Sequence, residues 1–311
     1  SMLKQKGYAT GGFGKWGCGG RDSTGVPEKH GFDVFFGYYD QVHAHSFYTP
    51  YLIRNSEEVV LEGNVGSRTG KTYSEYPIHA AAPQFIREHK ERPFLCYMPI
   101  TPPHGMYDIP ADDPAWELYK NEAWMRDPMI SQDTKNYAAM VSMVDREVGN
   151  VLDLLHELGL EENTIVFFTS DNGAAKRFDG VHNSCGKMNG HKRSLNEVGI
   201  RVPMIVRRPG KIKAGPVSQL LWYFPDVMPT LAELAGLTAP QGPQPIDGVS
   251  LVPVLRDPAA RVRDHAYHAY PRRKLGRAIR TERYRLVEWK RIGDVNAKAE
   301  YELYDYATDP L

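Results

Sequence analysis

The segment TIVFFTSDNG, residues 164–173, decides the fold class. Its first six residues are all β-branched or aromatic, which is typical of a strand buried on both faces. A helix over residues 133–158 precedes it, with Asp133 as the predicted N-cap and Gly159 at its end. The apolar stripe of this helix recurs at three- and four-residue spacing and comprises Val144, Val148, Val151, Leu152, Leu155 and Leu158. A helix, a short turn and a buried strand predict an α/β sheet with parallel strands.

Further elements are predicted on both sides of this segment. A first helix ends at Gly7, and a strand over 8–13 is closed by Gly14. The remaining predicted elements are helices over 78–89 and 224–234, the latter capped by Gly236, a buried strand over 93–98 and a short strand over 203–206. Residues 28–64 are rich in aromatic side chains and predict loops that shape a pocket.

The character of the sequence changes after about Arg261. Residues 278–281 and 284–289 alternate between apolar and polar side chains, which predicts antiparallel, half-exposed strands. We therefore predict two domains, a larger one over 1–261 and a small antiparallel sheet over 262–311.

Composition excludes several classes of function. The chain has 38 Lys and Arg against 38 Asp and Glu, so bulk charge predicts no nucleic-acid or membrane-surface partner. No apolar run reaches the roughly 18 residues that a membrane helix needs. The three cysteines are too few for a disulfide framework or a structural zinc site, although one pair could be bridged. The oligomeric state does not follow from the sequence.

Four polar segments go beyond what a fold requires. They are Gly14-Lys15-Trp16-Gly17, Pro102-Pro103-His104-Gly105, Asp171-Asn172-Gly173 and Gly190-His191-Lys192-Arg193. Each alone has a structural explanation: a solvated lysine, a loop histidine, a turn in which Asp and Asn bond their own backbone. Together they provide two oxygen ligands for a hard cation, two positive charges and one acid–base group. That set suits transfer of a tetrahedral oxyanion, where catalysis consists mainly of positioning and charge neutralisation.

These segments resemble those of the type I sulfatases of the alkaline-phosphatase superfamily. The likeness covers essentially the whole chain, because the motifs occur in the family's order. It includes Lys192, Glu197 and Arg201-Val202-Pro203, and further downstream Phe224-Pro225-Asp226-Val227 and Asp247-Gly248-Val249. The resemblance implies an alkaline-phosphatase-like mixed sheet between helices, with a small C-terminal antiparallel sheet.

The resemblance also implies roles for individual residues. Asp171 and Asn172 are expected to bind Ca²⁺, and Lys15 and Lys192 to hold sulfate oxygens. His104 is expected to contact the substrate and to help protonate the leaving oxygen. His43, His191 and Arg193 are expected to contact the substrate, the latter two near the pocket mouth, where they could contact a sulfated glycan; a carbohydrate sulfate is favoured over a small aryl sulfate. The family also implies a periplasmic or secreted location.

The chain departs from the family in its nucleophile. Type I sulfatases use a formylglycine made within a Cys/Ser-x-Pro/Ala-x-Arg motif, and none of Cys18, Cys96 and Cys185 stands in one. The family's N-terminal aspartate pair is also absent, and a missing N-terminal segment would explain both. We expect this polypeptide by itself neither to hydrolyse sulfate esters nor to hold calcium tightly.

Two further departures lie beside the lysines. Gly17 stands where many sulfatases have a histidine base, and we predict that His45 replaces it, with His43 as the weaker candidate. If this stretch is extended, the two rings point to the same side; the alternative is a structural cluster of histidines and aromatic residues. Val198 stands where relatives have Gly, which predicts either an extended backbone or a shifted Lys192 loop.

Two other functions remain open from the sequence. A phosphomonoesterase or phosphodiesterase of the same superfamily is possible, but two-zinc enzymes need several His and Asp ligands. An inactive homologue that binds sulfated ligands without cleaving them would fit Gly17, Val198 and the missing nucleophile.

Overall fold

A computed structural model describes residues 2–239 and 244–309. The chain forms two compact units, Ser1–Glu161 and Glu162–Leu311, and each is described by itself. Among the described residues, no helix is both long enough and apolar enough to cross a membrane. All three cysteines have free thiols, so the bridge that the sequence left open is not formed.

A mixed five-stranded sheet forms the centre of the first unit. Its strands are β1 Ala9–Lys15, β2 Val34–Tyr38, β3 Tyr51–Arg54, β4 Glu57–Val60 and β5 Phe94–Tyr97, in the order β4-β3-β2-β1-β5. Strand β1 runs parallel to β2 and β5, whereas β2, β3 and β4 pair antiparallel. The predicted mixed sheet is confirmed. The prediction of loops over 28–64 is wrong in part, because β2, β3 and β4 lie there.

Glycines in this sheet allow an unusually close approach of backbones. The prediction that Gly14 closes β1 is wrong, because Gly14 lies within the strand, at φ 135°. A Cβ on Gly14 would come 2.2 Å from the carbonyl oxygen of Pro99, and one on Gly37 would come 2.0 Å from that of Gly14. The strand therefore continues to Lys15, which places this side chain at the carboxyl end of β1.

The helices of the first unit are α1 Glu75–Glu88, α2 Ala123–Arg126 and α3 Gln132–Glu157. The N-cap of α3 is Ser131, whose hydroxyl accepts a hydrogen bond from the Thr134 N–H, so the prediction of Asp133 is wrong by two residues. Gly159 follows the helix in the left-handed conformation, as predicted.

The buried face of α3 also differs from the predicted stripe. Of the six stripe residues only Leu155 is fully buried, and the valines are half-buried. The helix instead buries Ala139, Met140 and Met143, which pack against Phe47 and other aromatic residues. Small residues and methionines form this contact, so the valine–leucine pattern alone did not locate it.

The second unit begins with a short strand pair. Strands β6 Val166–Thr169 and β7 Met204–Arg207 are antiparallel, and their residues are mostly half-buried. Within the described ranges β6 has no parallel partner, so the sequence-based prediction for this strand is wrong in direction and in burial. The helices of this unit are α4 Asp179–His182, α5 Glu197–Ile200, α6 Val227–Leu234 and α7 Val252–Arg256.

A four-stranded antiparallel sheet completes the second unit. Its strands are β8 His265–Pro271, β9 Lys274–Thr281, β10 Tyr284–Arg291 and β11 Glu300–Asp305, in the order β11-β10-β9-β8. The predicted alternation is confirmed in β9 and β10, and Ala278 and Val287 pack against Leu195. The predicted domain boundary near residue 261 falls between α7 and β8; a separate C-terminal domain stays a prediction.

Candidate active site

Lys15 is held in place through its backbone. Its N–H donates a 2.8 Å hydrogen bond to the carbonyl of Pro99, and the next N–H, of Trp16, donates to Tyr38. The Trp16 indole donates to the Gly25 carbonyl at 2.6 Å and packs edge-on against Phe35. These contacts hold the backbone of Lys15 and the whole of Trp16 in place, while the Lys15 side chain stays half-exposed.

The structure brings His45 and His104 together. Their rings stack with centroids 4.7 Å apart and planes 14° from parallel. The Met106 N–H donates a 3.0 Å hydrogen bond to the His45 carbonyl, and a Cβ on Gly105 would come 3.0 Å from that oxygen. The turn after β5 is thus hydrogen-bonded to the His45 backbone. This bond holds the segments that carry the two stacked rings next to each other. Nothing in the sequence pattern connected these two histidines.

His43 occupies a different environment. Residues His43–His45 form one turn of 3₁₀ helix rather than an extended segment, so the two rings do not share a side as expected. The His43 Nε2 lies 2.5 Å from the Thr49 hydroxyl, and its ring packs against Tyr38 and Tyr51. Burial lowers the pKa of His43 below its usual value. This geometry matches the structural cluster that the sequence left as the alternative.

Asp171 and Asn172 lie directly beyond the carboxyl end of β6, as predicted. The Asp171 side chain is exposed and Asn172 is half-buried. The following Gly173 donates a 3.2 Å hydrogen bond to the Gly199 carbonyl, and a Cβ on it would come 1.5 Å from the Val198 carbonyl oxygen. Only glycine allows this turn to lie against α5.

The Lys192 loop is tied to the same turn. The Lys192 N–H donates a 2.6 Å hydrogen bond to the Ala174 carbonyl. Lys192 is half-buried, whereas its neighbours His191 and Arg193 are exposed; Arg193 has a left-handed backbone at φ 76°.

Val198 does not distort this loop in the way the sequence suggested. It lies in the single turn of α5, buried, with a right-handed helical backbone rather than an extended one. The strain expected for a β-branched residue at positive φ is therefore avoided.

The ion pairs that hold α5 were not predicted from the sequence. The Glu197 carboxylate accepts hydrogen bonds from Arg285 at 2.5 Å and from Arg280 at 3.1 Å. Burial alone would raise the pKa of Glu197, but the charges of Arg285 and Arg280 outweigh it and hold this pKa below its usual value. One signal existed: Arg285 occupies an inward position of β10, two residues before the buried Val287.

These groups border one cavity in the second unit. The cavity has a volume of about 2130 Å³, and its lining includes Asp171, Asn172, Lys192, Arg193 and Arg285. Two side chains with oxygen ligands and a lysine whose backbone N–H bonds to nearby Ala174 therefore line a common space.

The donor atoms fit calcium in kind but not in number. An Asp carboxylate and an Asn amide are the hard oxygen ligands that calcium takes, normally about six to eight of them. Within the described ranges, no group of three or more His, Cys, Asp or Glu side chains could hold a metal. Asp171 and Asn172 thus fit as part of a calcium shell. The chain's cysteines do not fit the formylglycine, since none stands in its precursor motif.

Family models match both parts of the chain. A model described as Sulfatase matches residues 1–237, and one described as N-sulphoglucosamine sulphohydrolase, C-terminal, matches residues 189–311.

Individual relatives and solved structures agree with these matches. The chain is 32% identical over 270 residues to N-acetylgalactosamine-6-sulfatase of Canis lupus familiaris, covering 82% of this chain and 47% of that protein. It is 33% identical over 188 residues to N-acetylglucosamine-6-O-sulfatase of Bacteroides thetaiotaomicron, covering 58% and 31%. The chain thus spans about half the length, or less, of these relatives.

Two solved structures share the fold. The crystal structure of Ps i-CgsB in complex with k-i-k-neocarrahexaose superposes with a TM-score of 0.74 at 26% identity, over 99% of this chain and 67% of that one. BT4656 in complex with D-glucosamine-2-N,6-O-disulfate superposes with a TM-score of 0.71 at 23% identity, over 99% and 75%.

Proposed function

The chain belongs to the sulfatase family, and from this premise we propose that the complete protein is a sulfuric ester hydrolase that acts on sulfated carbohydrates. The observation that carries the proposal is the cavity of the second unit, whose lining includes Asp171, Asn172 and Lys192. Oxygen ligands for a cation and an ammonium group are the kinds of group that stabilise a sulfate oxyanion.

We assign the charge-neutralising roles to the two lysines. Lys15 and Lys192 would each hold sulfate oxygens and balance the negative charge that grows on them in the transition state. The backbone N–H of each lysine is hydrogen-bonded, that of Lys15 to Pro99 and that of Lys192 to Ala174. Asp171 and Asn172 would contribute oxygen ligands to Ca²⁺, which when bound supplies Lewis-acid polarisation of a sulfate oxygen.

We assign the proton transfers to the stacked histidines. His104 would donate a proton to the leaving oxygen, and His45, stacked on it, would serve as the base that Gly17 cannot provide. His43 is engaged with Thr49 and tyrosines, so we now favour a structural role for it over the predicted contact with substrate. Residues 1–311 contain no Cys/Ser-x-Pro/Ala-x-Arg motif, so none of them is assigned the role of a formylglycine.

A carbohydrate sulfate is the proposed substrate class. Two of the relatives are named for the 6-sulfates of N-acetylgalactosamine and N-acetylglucosamine. The exposed His191 and Arg193 beside Lys192 would contact further groups of such a sugar. We also propose a periplasmic or secreted location, on the family resemblance alone.

The test measures inorganic sulfate released from N-acetylgalactosamine 6-sulfate and N-acetylglucosamine 6-sulfate by the complete protein. Lys192→Met should lower kcat/KM by about 100-fold, the usual cost of one oxyanion-stabilising group. The matched control is Lys187→Met, an exposed lysine of the same loop, which should stay within about twofold of wild type. Absence of sulfate release, or equal rates for the two variants, would refute the proposal.

A further inference from the structure

Arg285 is a charged residue buried as deeply as the aromatic core. Its side chain is 1% exposed and belongs to β10 of the C-terminal sheet. One terminal nitrogen donates to the Leu195 carbonyl and the other to the Glu197 carboxylate. Moving a guanidinium out of water is costly unless its partners are well placed. These bonds therefore fix segment 195–197 relative to the sheet.

A second arginine reinforces the same carboxylate. Arg280 of β9 donates to Glu197 at 3.1 Å, and its guanidinium lies 3.9 Å from the centre of the Tyr306 ring. Arg201 also approaches Glu197, at 3.5 Å, but its side chain is 60% exposed. Glu197 is thus held mainly by two arginines that follow it by more than eighty residues in the chain.

Glu197 in turn sits where the two polar segments of the cavity meet. It opens α5, and the carbonyl of Gly199 in that helix accepts the hydrogen bond from Gly173, next to Asn172. The Val198 N–H donates to the Asn189 carbonyl, three residues before Lys192. The Lys192 N–H reaches the Ala174 carbonyl and closes the ring of contacts. A shift of α5 would therefore move the Asp171–Asn172 turn and the Lys192 loop together.

We propose that Arg285 is a positioning residue, by which the C-terminal sheet sets the placement of Lys192 and of the Asp171–Asn172 turn. The mechanical part of this inference stands on the contacts alone, and its catalytic consequence rests on the proposed sulfatase function. Arg285 touches no reacting group; it acts through Glu197 and Leu195.

The chain provides a matched control for a buried arginine. Arg263 is 7% exposed and pairs with the fully buried Asp226 in the same unit. Asp226 accepts hydrogen bonds from the N–H groups of Tyr223 and Val249, and neither bond involves Lys192 or Glu197. Arg263→Met therefore removes an equally buried ion pair away from the cavity's polar segments, and Arg285→Met removes the anchor.

The experiment compares Arg285→Met with Arg263→Met in the complete protein, at a temperature well below both melting transitions. Amide hydrogen exchange is followed in peptides covering 171–174, peptides covering 189–200, and a third set covering 223–239 and 244–252. Arg285→Met should speed exchange in the first two peptides by about tenfold or more and leave the third within about twofold, whereas Arg263→Met should do the reverse. On a carbohydrate sulfate, Arg285→Met should lower kcat by about tenfold to 100-fold and Arg263→Met by less than about twofold.

The outcomes separate this inference from the proposed function. Equal exchange patterns in the two variants, or unchanged exchange over 189–200 in Arg285→Met, would overturn the positioning role. If wild-type protein releases no sulfate, the proposed function fails while the exchange comparison still decides the inference. If Arg285→Met does not fold, Arg285→Lys replaces it: a lysine cannot span both acceptors, so faster exchange confined to 171–174 and 189–200 is again expected, and wild-type exchange there would overturn the proposal.

Discussion

The two units hold their predicted site residues by different means. In the first unit, Lys15 and His104 are placed by backbone contacts, where glycines let neighbouring segments touch. In the second unit, Lys192 lies in a loop with little regular structure, and the adjoining α5 is held by buried ion pairs from the C-terminal sheet. Close backbone approaches also occur in the second unit, at Gly173, Gly199 and Gly248, but there they are accompanied by the buried ion pairs.

This difference predicts different vulnerabilities. The first set of residues should be sensitive to added side-chain volume and tolerant of changes in pH or salt, because hydrogen-bonded backbone and packing carry it. The second set should be sensitive to the charge state of a few buried groups. Substitutions in the two units test that contrast, from the largest expected effect to the smallest.

The largest effect is expected from Gly14→Ala in the first unit. The new Cβ would lie 2.2 Å from the Pro99 carbonyl oxygen at a φ of 135°, so the strand and the segment after β5 must separate. We expect a loss of about 4 kcal/mol or more in the free energy of unfolding, measured by urea denaturation. Gly7→Ala is the control, because Gly7 also has a positive φ but no atom beyond its chain neighbours lies within 4 Å of the added Cβ. This substitution should lower the free energy of unfolding by about 1 kcal/mol. Equal losses would show that the close approach is not what holds β1.

The next prediction separates the two histidines of the same turn. His45→Ala should lower kcat by about 100-fold and remove one limb of the pH–rate profile, because His45 stacks on His104 and is the proposed base. His43→Ala should mainly lower the melting temperature, because His43 packs among tyrosines and bonds Thr49. An unchanged pH–rate profile in His45→Ala would contradict its assignment.

Mild acid should destabilise the second unit through His268. Burial, together with the charge of Arg285 and Arg280, lowers the pKa of His268 to about 4. The unfolded chain binds a proton below about pH 6.5 while the folded state does not, so stability falls from that pH down to about 4 and then levels off. The loss is at most about 3 kcal/mol, and His268→Asn should flatten this part of the stability–pH curve.

The matched variant for this pH effect lies in the first unit. Burial also lowers the pKa of His43, so His43→Asn should flatten the curve in the same direction. Because no cationic side chain adds to that shift, the His43→Asn change should be the smaller one. A larger effect from His43→Asn would reverse the proposed contrast between the units.

The smallest effect is expected at the start of α3. Ser131→Ala removes the hydroxyl that accepts from the Thr134 N–H and should cost about 1 kcal/mol of stability in urea denaturation. Ser131→Asp keeps an acceptor there and should be close to wild type. If Ser131→Ala is neutral, the cap contributes nothing and the helix start is fixed by its packing.

Local sequence signals located much of the fold and some of the candidate site. The β-branched run before Asp171 placed the Asp-Asn turn at the end of a strand, and the alternation over 278–289 identified the C-terminal sheet. Gly159 marked the end of α3 because it takes a left-handed backbone there. Each of these features is determined by residues that are adjacent in the chain, so a local sequence pattern is enough to predict it.

Features that depend on distant residues were missed. The stacking of His45 on His104 joins residues 59 positions apart, and Glu197 meets Arg285 from 88 positions away. Neither pair leaves a periodic trace in the sequence. The direction of β6 was predicted wrongly because an apolar run carries no information on the orientation of the neighbouring strand, and its burial was overestimated because the run is only half-buried.

The most direct test of the sulfatase assignment is the complete protein's kcat/KM on N-acetylgalactosamine 6-sulfate against N-acetylgalactosamine 6-phosphate. The two esters share the sugar and differ in the anion that the enzyme must stabilise. The account predicts hydrolysis of the sulfate ester with a preference of about 100-fold or more over the phosphate ester. A preference for the phosphate ester would identify a phosphatase, and binding of the sulfated sugar without release of sulfate would identify an inactive homologue; either result would contradict the account.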